Sequence, residues 1–121
     1  MSPLPAIDIS PEQWAIVESI LKHHVPAFEV WAFGSRAQKT AKRYSDLDLC
    51  VLSERPLGLS LSAELVEAFS ESDLPWKVDV VDWAITSETF RKIIAANKVV
   101  LQKGSGAAQA PGDCDVSEWK P

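Results

Sequence analysis

No stretch of this 121-residue sequence is apolar for long enough to cross a bilayer. Its first residues, Met1-Ser2-Pro3-Leu4-Pro5, lack the basic segment and apolar core of a signal peptide. A cytoplasmic protein without a membrane partner is therefore expected. Cysteine is scarce. Cys50 and Cys114 are the whole complement, and they form no metal-binding spacing. Both are expected as free thiols in a reducing compartment, where disulfides are rare. Positive charge is in deficit, with 12 Lys and Arg against 17 Asp and Glu and a net charge of −5. Phosphate contacts dominate nucleic-acid affinity, so direct nucleic-acid binding is not expected. A basic protein partner suits that charge better. Internal repeats are absent.

Hydrophobic residues make up 46% of the chain, which argues against overall disorder. At this length one domain is expected, burying roughly two thirds of its surface. The first firm signal is a helix from Ser10 to Val25. Ser10 caps it, Pro11 suits its first position, Gln13 completes a capping box and Pro26 ends it. Trp14, Val17, Ile20 and Leu21 recur at helical spacing. Glu29 to Phe33 reads as a strand, Gly34-Ser35 as a turn, and Arg36 to Ala41 as a short helix. Asp46 to Leu52 is a second strand. Ser62 to Glu71 is a helix whose inner face would carry Leu65, Val66 and Phe69. Lys77 to Trp83 is a valine-rich strand. Thr86 or Ser87 caps a last helix, and Val99 to Leu101 forms a strand or a docking segment. The pattern is α+β, with α and β mixed: a small mixed sheet with helices packed mainly on one face. Residues 1–103 are expected to form the domain. Residues 104–121, where only Val116 and Trp119 offer packing, are expected to be a disordered tail.

The chemistry concentrates in two segments. Val30-Trp31-Ala32-Phe33 ends abruptly at Gly34-Ser35, and a basic stretch follows (Arg36, Lys39, Lys42, Arg43). The next strand then opens with Asp46 and Asp48. Alternate residues of a strand share a face, so these carboxylates stand roughly 6.5–7 Å apart at the backbone. At an effective dielectric of about 20 their repulsion is on the order of 2 kcal/mol. Water tolerates this easily; in a cleft it makes sense mainly with a cation between the two. A third carboxylate would come from Val78-Asp79-Val80-Val81-Asp82. Asp79 and Asp82 are three apart and face opposite sides, so one of them can join the pair and spacing does not say which.

Each residue also has a plainer reading. Asp-x-Asp can be a solvated strand start, Ser35 a turn residue, Arg36 the partner of Asp46 or of a surface carboxylate, and Asp79 a surface strand residue. His23 and His24 read as structural cations at a helix end. Trp31 and Trp83 read as packing.

Taken together, Trp31-Ala32-Phe33-Gly34-Ser35-Arg36-Ala37 and Tyr44-Ser45-Asp46-Leu47-Asp48-Leu49 resemble the nucleotidyltransferase superfamily related to DNA polymerase beta. The likeness is strongest to its minimal prokaryotic members and runs from about Val30 to Leu101. It implies the nucleotidyltransferase fold and favours Asp79 as the third carboxylate. Asp46, Asp48 and Asp79 would then hold two Mg2+ ions, which favour oxygen ligands. Gly34 and Ser35 would take the triphosphate of ATP, with Arg36 adding charge. Relatives often carry glycine a few residues after Gly-Ser-Arg-Ala, where this chain has Gln38-Lys39, and Lys39 would alter that loop.

Larger members carry an acceptor-binding domain, and none is expected here. The small relatives are paired with a HEPN-domain RNase toxin and act as its antitoxin by transferring AMP to a toxin tyrosine. The resemblance implies that role here. The chain is not itself that toxin, because the HEPN motif places arginine before histidine and both histidines here precede every arginine. The alternative is a non-catalytic antitoxin that neutralises its partner by occlusion.

Overall fold

Local signals set the first element of the computed structural model, which describes residues 4–104. Helix α1 spans Pro11–His24. Gln13 N–H donates to Ser10 Oγ (3.1 Å) and Ser10 N–H donates to Gln13 Oε1 (3.0 Å), closing the capping box. Such a cap contributes about 1 kcal/mol. Strand β1 (Glu29–Phe33), helix α2 (Ser35–Gln38), strand β2 (Leu47–Leu52) and helix α3 (Leu59–Ser70) follow. Strand β3 (Val78–Asp82), a 3-10 turn at Trp83–Ile85, helix α4 (Glu88–Asn97) and strand β4 (Val99–Gln102) complete the described chain. The expected tail and Cys114 lie outside the described residues.

The sheet has the order β3-β2-β1-β4. β1 pairs antiparallel with both β2 and β4, while β2 and β3 are parallel. The sheet is therefore mixed, as the sequence pattern implies. One face carries Val30, Ala32, Leu47, Leu49, Val51 and Val78. It is covered by Trp14, Val17 and Leu21 of α1 and by Leu65 and Phe69 of α3. A smaller cluster of Phe33, Cys50 and Ile94 covers part of the other face, flanked by Trp31 and Trp83. The Trp31 and Trp83 rings meet edge-on at 5.4 Å, as packing residues do. Asp48 alternates with Leu47 and Leu49, so the main core holds β2 in register and turns Asp48 toward this second face.

Several boundaries differ from expectation. α2 spans Ser35–Gln38 instead of Arg36 to Ala41, because Lys39 turns into the left-handed region and ends it. β2 starts at Leu47, whose N–H donates to Lys77 O (2.9 Å) as the first rung beyond the turn, so Asp46 precedes the strand. α3 starts at Leu59, three residues before Ser62, and directs Leu61, Leu65 and Phe69 inward at steps of four. Val66 lies off that stripe and is 50% exposed, which corrects its expected place on the inner face. β3 ends at Asp82 because that side chain turns the backbone: it accepts from Ala84 N–H (3.2 Å) and caps the 3-10 turn.

Candidate active site

Asp48 and Asp79 are register partners across the parallel β2–β3 pair. Registered residues of neighbouring strands share a face, so both carboxylates stand on the side away from the main core. Asp48 is half-buried, while Asp46 and Asp79 are exposed. Burial pushes the Asp48 carboxyl up to about 6, and the charges of Asp79 and then Asp46 add to the shift. All three influences act in one direction. The aspartates thus form one electrostatic neighbourhood whose most buried member resists ionisation.

Asp82 has other work. It accepts from Leu57 N–H (2.7 Å) and is hydrogen-bonded by the Ser53 hydroxyl, tying β3 to the segment after β2.

Gly34 meets Asp48 at close range. Its φ of +79° and ψ of −160° belong to a region open essentially to glycine. A Cβ there would collide with Asp48 Oδ2 and stand 3.2 Å from Asp48 Cγ. Bare backbone at Gly34 is what lets the β1 turn lie against the carboxylate. Ser35, half-buried, opens α2 directly beside it.

Arg36 lies elsewhere than expected. It is 5% exposed, and its guanidinium lies over the Trp76 ring at 4.3 Å. Nε donates to Ser45 O (2.9 Å), Nη1 to Asp8 O (2.8 Å), and Nη2 to Arg43 O (3.1 Å) and Lys42 O (3.4 Å). Four of the five guanidinium N–H groups therefore serve backbone carbonyls. Burial lowers its pKa, opposed by the charges of Asp8 and Asp46. This geometry makes Arg36 a clamp on the loop before Asp46, in place of the expected phosphate contact. Asp8, which sequence reasoning passed over, belongs to the same clamp: its N–H donates to Arg36 O (2.9 Å) and its Oδ2 accepts from Ala41 N–H (3.2 Å). No local pattern marks Asp8, because its partners are some thirty residues away.

Lys39 follows α2 in the left-handed region, at φ 62° and ψ 34°. Glycine adopts this conformation freely, and here lysine bears the strain.

The donor set fits a divalent oxygen-seeking cation by type. It offers carboxylates with no soft ligand, and ionising Asp48 beside two like charges is favoured by a cation. Among the described residues, no three His, Cys, Asp or Glu side chains already stand gathered for a metal ion. No helix among them is long and apolar enough to cross a membrane.

Comparison with known proteins agrees with the fold. Residues 15–102 match the family model described as "Nucleotidyltransferase domain". The chain is 51% identical over 111 residues to the probable protein adenylyltransferase MntA of Haemophilus influenzae, covering 92% of this chain and 97% of that protein. A crystal structure of a toxin–antitoxin with AMP-PNP superposes with a TM-score of 0.65 at 26% identity, over 76% of this chain and 74% of that one. A tri-AMPylated Shewanella oneidensis HEPN toxin in complex with MNT antitoxin gives a TM-score of 0.57 at 21% identity, over 78% and 73% of the two chains. At that identity the likeness speaks for the fold alone.

Proposed function

The chain belongs to the nucleotidyltransferase domain family, and on that premise we propose that it is a Mg2+-dependent protein adenylyltransferase and antitoxin. In this reading it transfers AMP from ATP to a tyrosine of a cognate HEPN-domain RNase in the cytoplasm. The observation that carries the reading is Asp48 opposite Asp79, with Gly34 bare against it. The 51% identity to a probable protein adenylyltransferase supports the class of reaction. The likeness to a toxin–antitoxin with AMP-PNP supports the nucleotide and the biological role.

Asp46, Asp48 and Asp79 would hold the magnesium ions. A metal held there would supply stabilisation of the charge that develops on the attacking and leaving oxygens. Gly34 admits a phosphate close to the backbone, and Ser35 offers a hydroxyl donor. A tyrosine hydroxyl has a pKa of about 10 and arrives protonated at neutral pH. Asp79, exposed at the edge strand, would accept that proton. Residues 1–103 are taken as the catalytic unit.

The test is intact mass spectrometry of the neighbour-encoded HEPN-domain protein after incubation with this chain, ATP and magnesium. A gain of one or more AMP units, lost with Asp48→Asn, is expected. A stable complex without any gain would replace the catalytic reading with neutralisation by occlusion.

A further inference from the structure

Tyr44 is the only tyrosine of the sequence. It is 64% exposed and takes no part in either apolar cluster. It stands at the tip of a tight turn, in which Ser45 N–H donates to Lys42 O (3.1 Å) and Lys42 N–H donates to Ser45 Oγ (2.9 Å). The turn is anchored by Arg36, which binds the carbonyls of Lys42, Arg43 and Ser45. The Arg43 guanidinium lies over the Tyr44 ring at 5.4 Å. Tyr44 precedes Asp46 by two residues, a chain span of at most about 7 Å. A solvent-facing phenol is therefore held on a clamped turn two residues before the first of the carboxylates proposed above to transfer AMP to phenols.

Resting on the adenylyltransferase reading above, we infer that Tyr44 is itself an acceptor, taking AMP from ATP in its own site or that of a second copy when no partner is present. The phenolic oxygen forms a bond to the α-phosphorus of ATP. The bond from that phosphorus to the bridging oxygen breaks, and pyrophosphate leaves. The phenolic proton passes to a carboxylate of the site, and the product is a tyrosyl-AMP phosphodiester. ATP supplies the transferred group, so no oxidant or further reactant is required.

The full-length chain is incubated with ATP and magnesium, alone and in parallel with the neighbour-encoded HEPN-domain protein. Both are then read by intact mass and peptide mapping. Alone, the chain is expected to gain one AMP unit on Tyr44, absent from Tyr44→Phe and from Asp48→Asn. Tyr44→Phe is expected still to modify the partner. A modified partner together with an unmodified lone chain overturns the inference and leaves the adenylyltransferase reading standing. A gain that survives in Tyr44→Phe overturns it too, since the acceptor would then lie elsewhere. If neither protein gains mass, the reading fails and the inference fails with it.

Discussion

Asp48 lies against Gly34, so closely that a single methyl group on the glycine would strike its carboxylate oxygen. The turn that ends β1 and the carboxylate that opens β2 are thereby one unit, although thirteen residues of chain separate them. Gly34→Ala is expected to destabilise the fold by about 1–3 kcal/mol, from the unfavourable φ and the collision together. Asp48→Ala in the same chain removes the collision and not the backbone strain. A double-mutant cycle by urea unfolding should show coupling of about 0.5 kcal/mol or more. Simple additivity would mean that the two residues do not meet.

Asp48→Asn is expected to abolish AMP transfer and to raise stability in metal-free buffer at pH 7. The amide keeps the shape of the side chain and removes a charge disfavoured by burial and by its neighbours. Discounted for partial exposure to solvent, the gain is on the order of 1 kcal/mol. Thermal unfolding read beside activity checks both halves. Retained transfer, or a lower melting temperature, would contradict the assignment.

The same residue predicts a pH dependence. Its folded pKa of about 6 lies above the ordinary carboxylate value of 3.8. The folded state therefore binds the proton more tightly than the unfolded chain does. The stabilisation is fully present below about pH 4 and is lost as pH rises through about 6. Urea midpoints measured without metal should show this downward slope against the Asp48→Asn background, where it should vanish.

Arg36→Lys keeps the charge and loses the planar fork. A cost on the order of 2 kcal/mol is expected, because partly buried carbonyls of Ser45 and Asp8 lose their donors. The KM for ATP should change little in the folded fraction. A raised KM with unchanged stability would instead put Arg36 on the phosphate.

Lys39→Gly should stabilise by about 0.5–1 kcal/mol, since glycine adopts the left-handed conformation without a Cβ penalty. Denaturant midpoints would register the change, and no gain would mean that the αL turn carries no strain.

Much of this molecule is legible along the chain because its signals are local. The capping box at Ser10 and Gln13 is written in four consecutive residues, and α1 begins where those residues place it. Alternation around Asp48 assigns it a face before any partner strand is known. The Gly34-Ser35 turn and the Asp46-x-Asp48 pair carry the family resemblance by themselves. The inner face of α3 was less legible: Leu65 and Phe69 point inward and Val66 does not, because the angle at which a helix meets a sheet is set by partners distant in sequence.

Three matters rested on packing across the fold. Spacing says that Asp79 and Asp82 oppose each other, yet the parallel register of β3 on β2 puts Asp79 beside Asp48 and leaves Asp82 to bind the Leu57 amide. Composition marks Arg36 as a spare cation beside a phosphate-sized turn; burial against Trp76 makes it a clamp. Nothing near Asp8 in the chain announces that it helps hold the loop before the carboxylates. Local sequence specifies which groups a segment can offer and which face they take, because backbone periodicity is short-ranged. Which offered groups converge depends on strand register and on contacts between residues tens of positions apart, and those exist only once the core has closed.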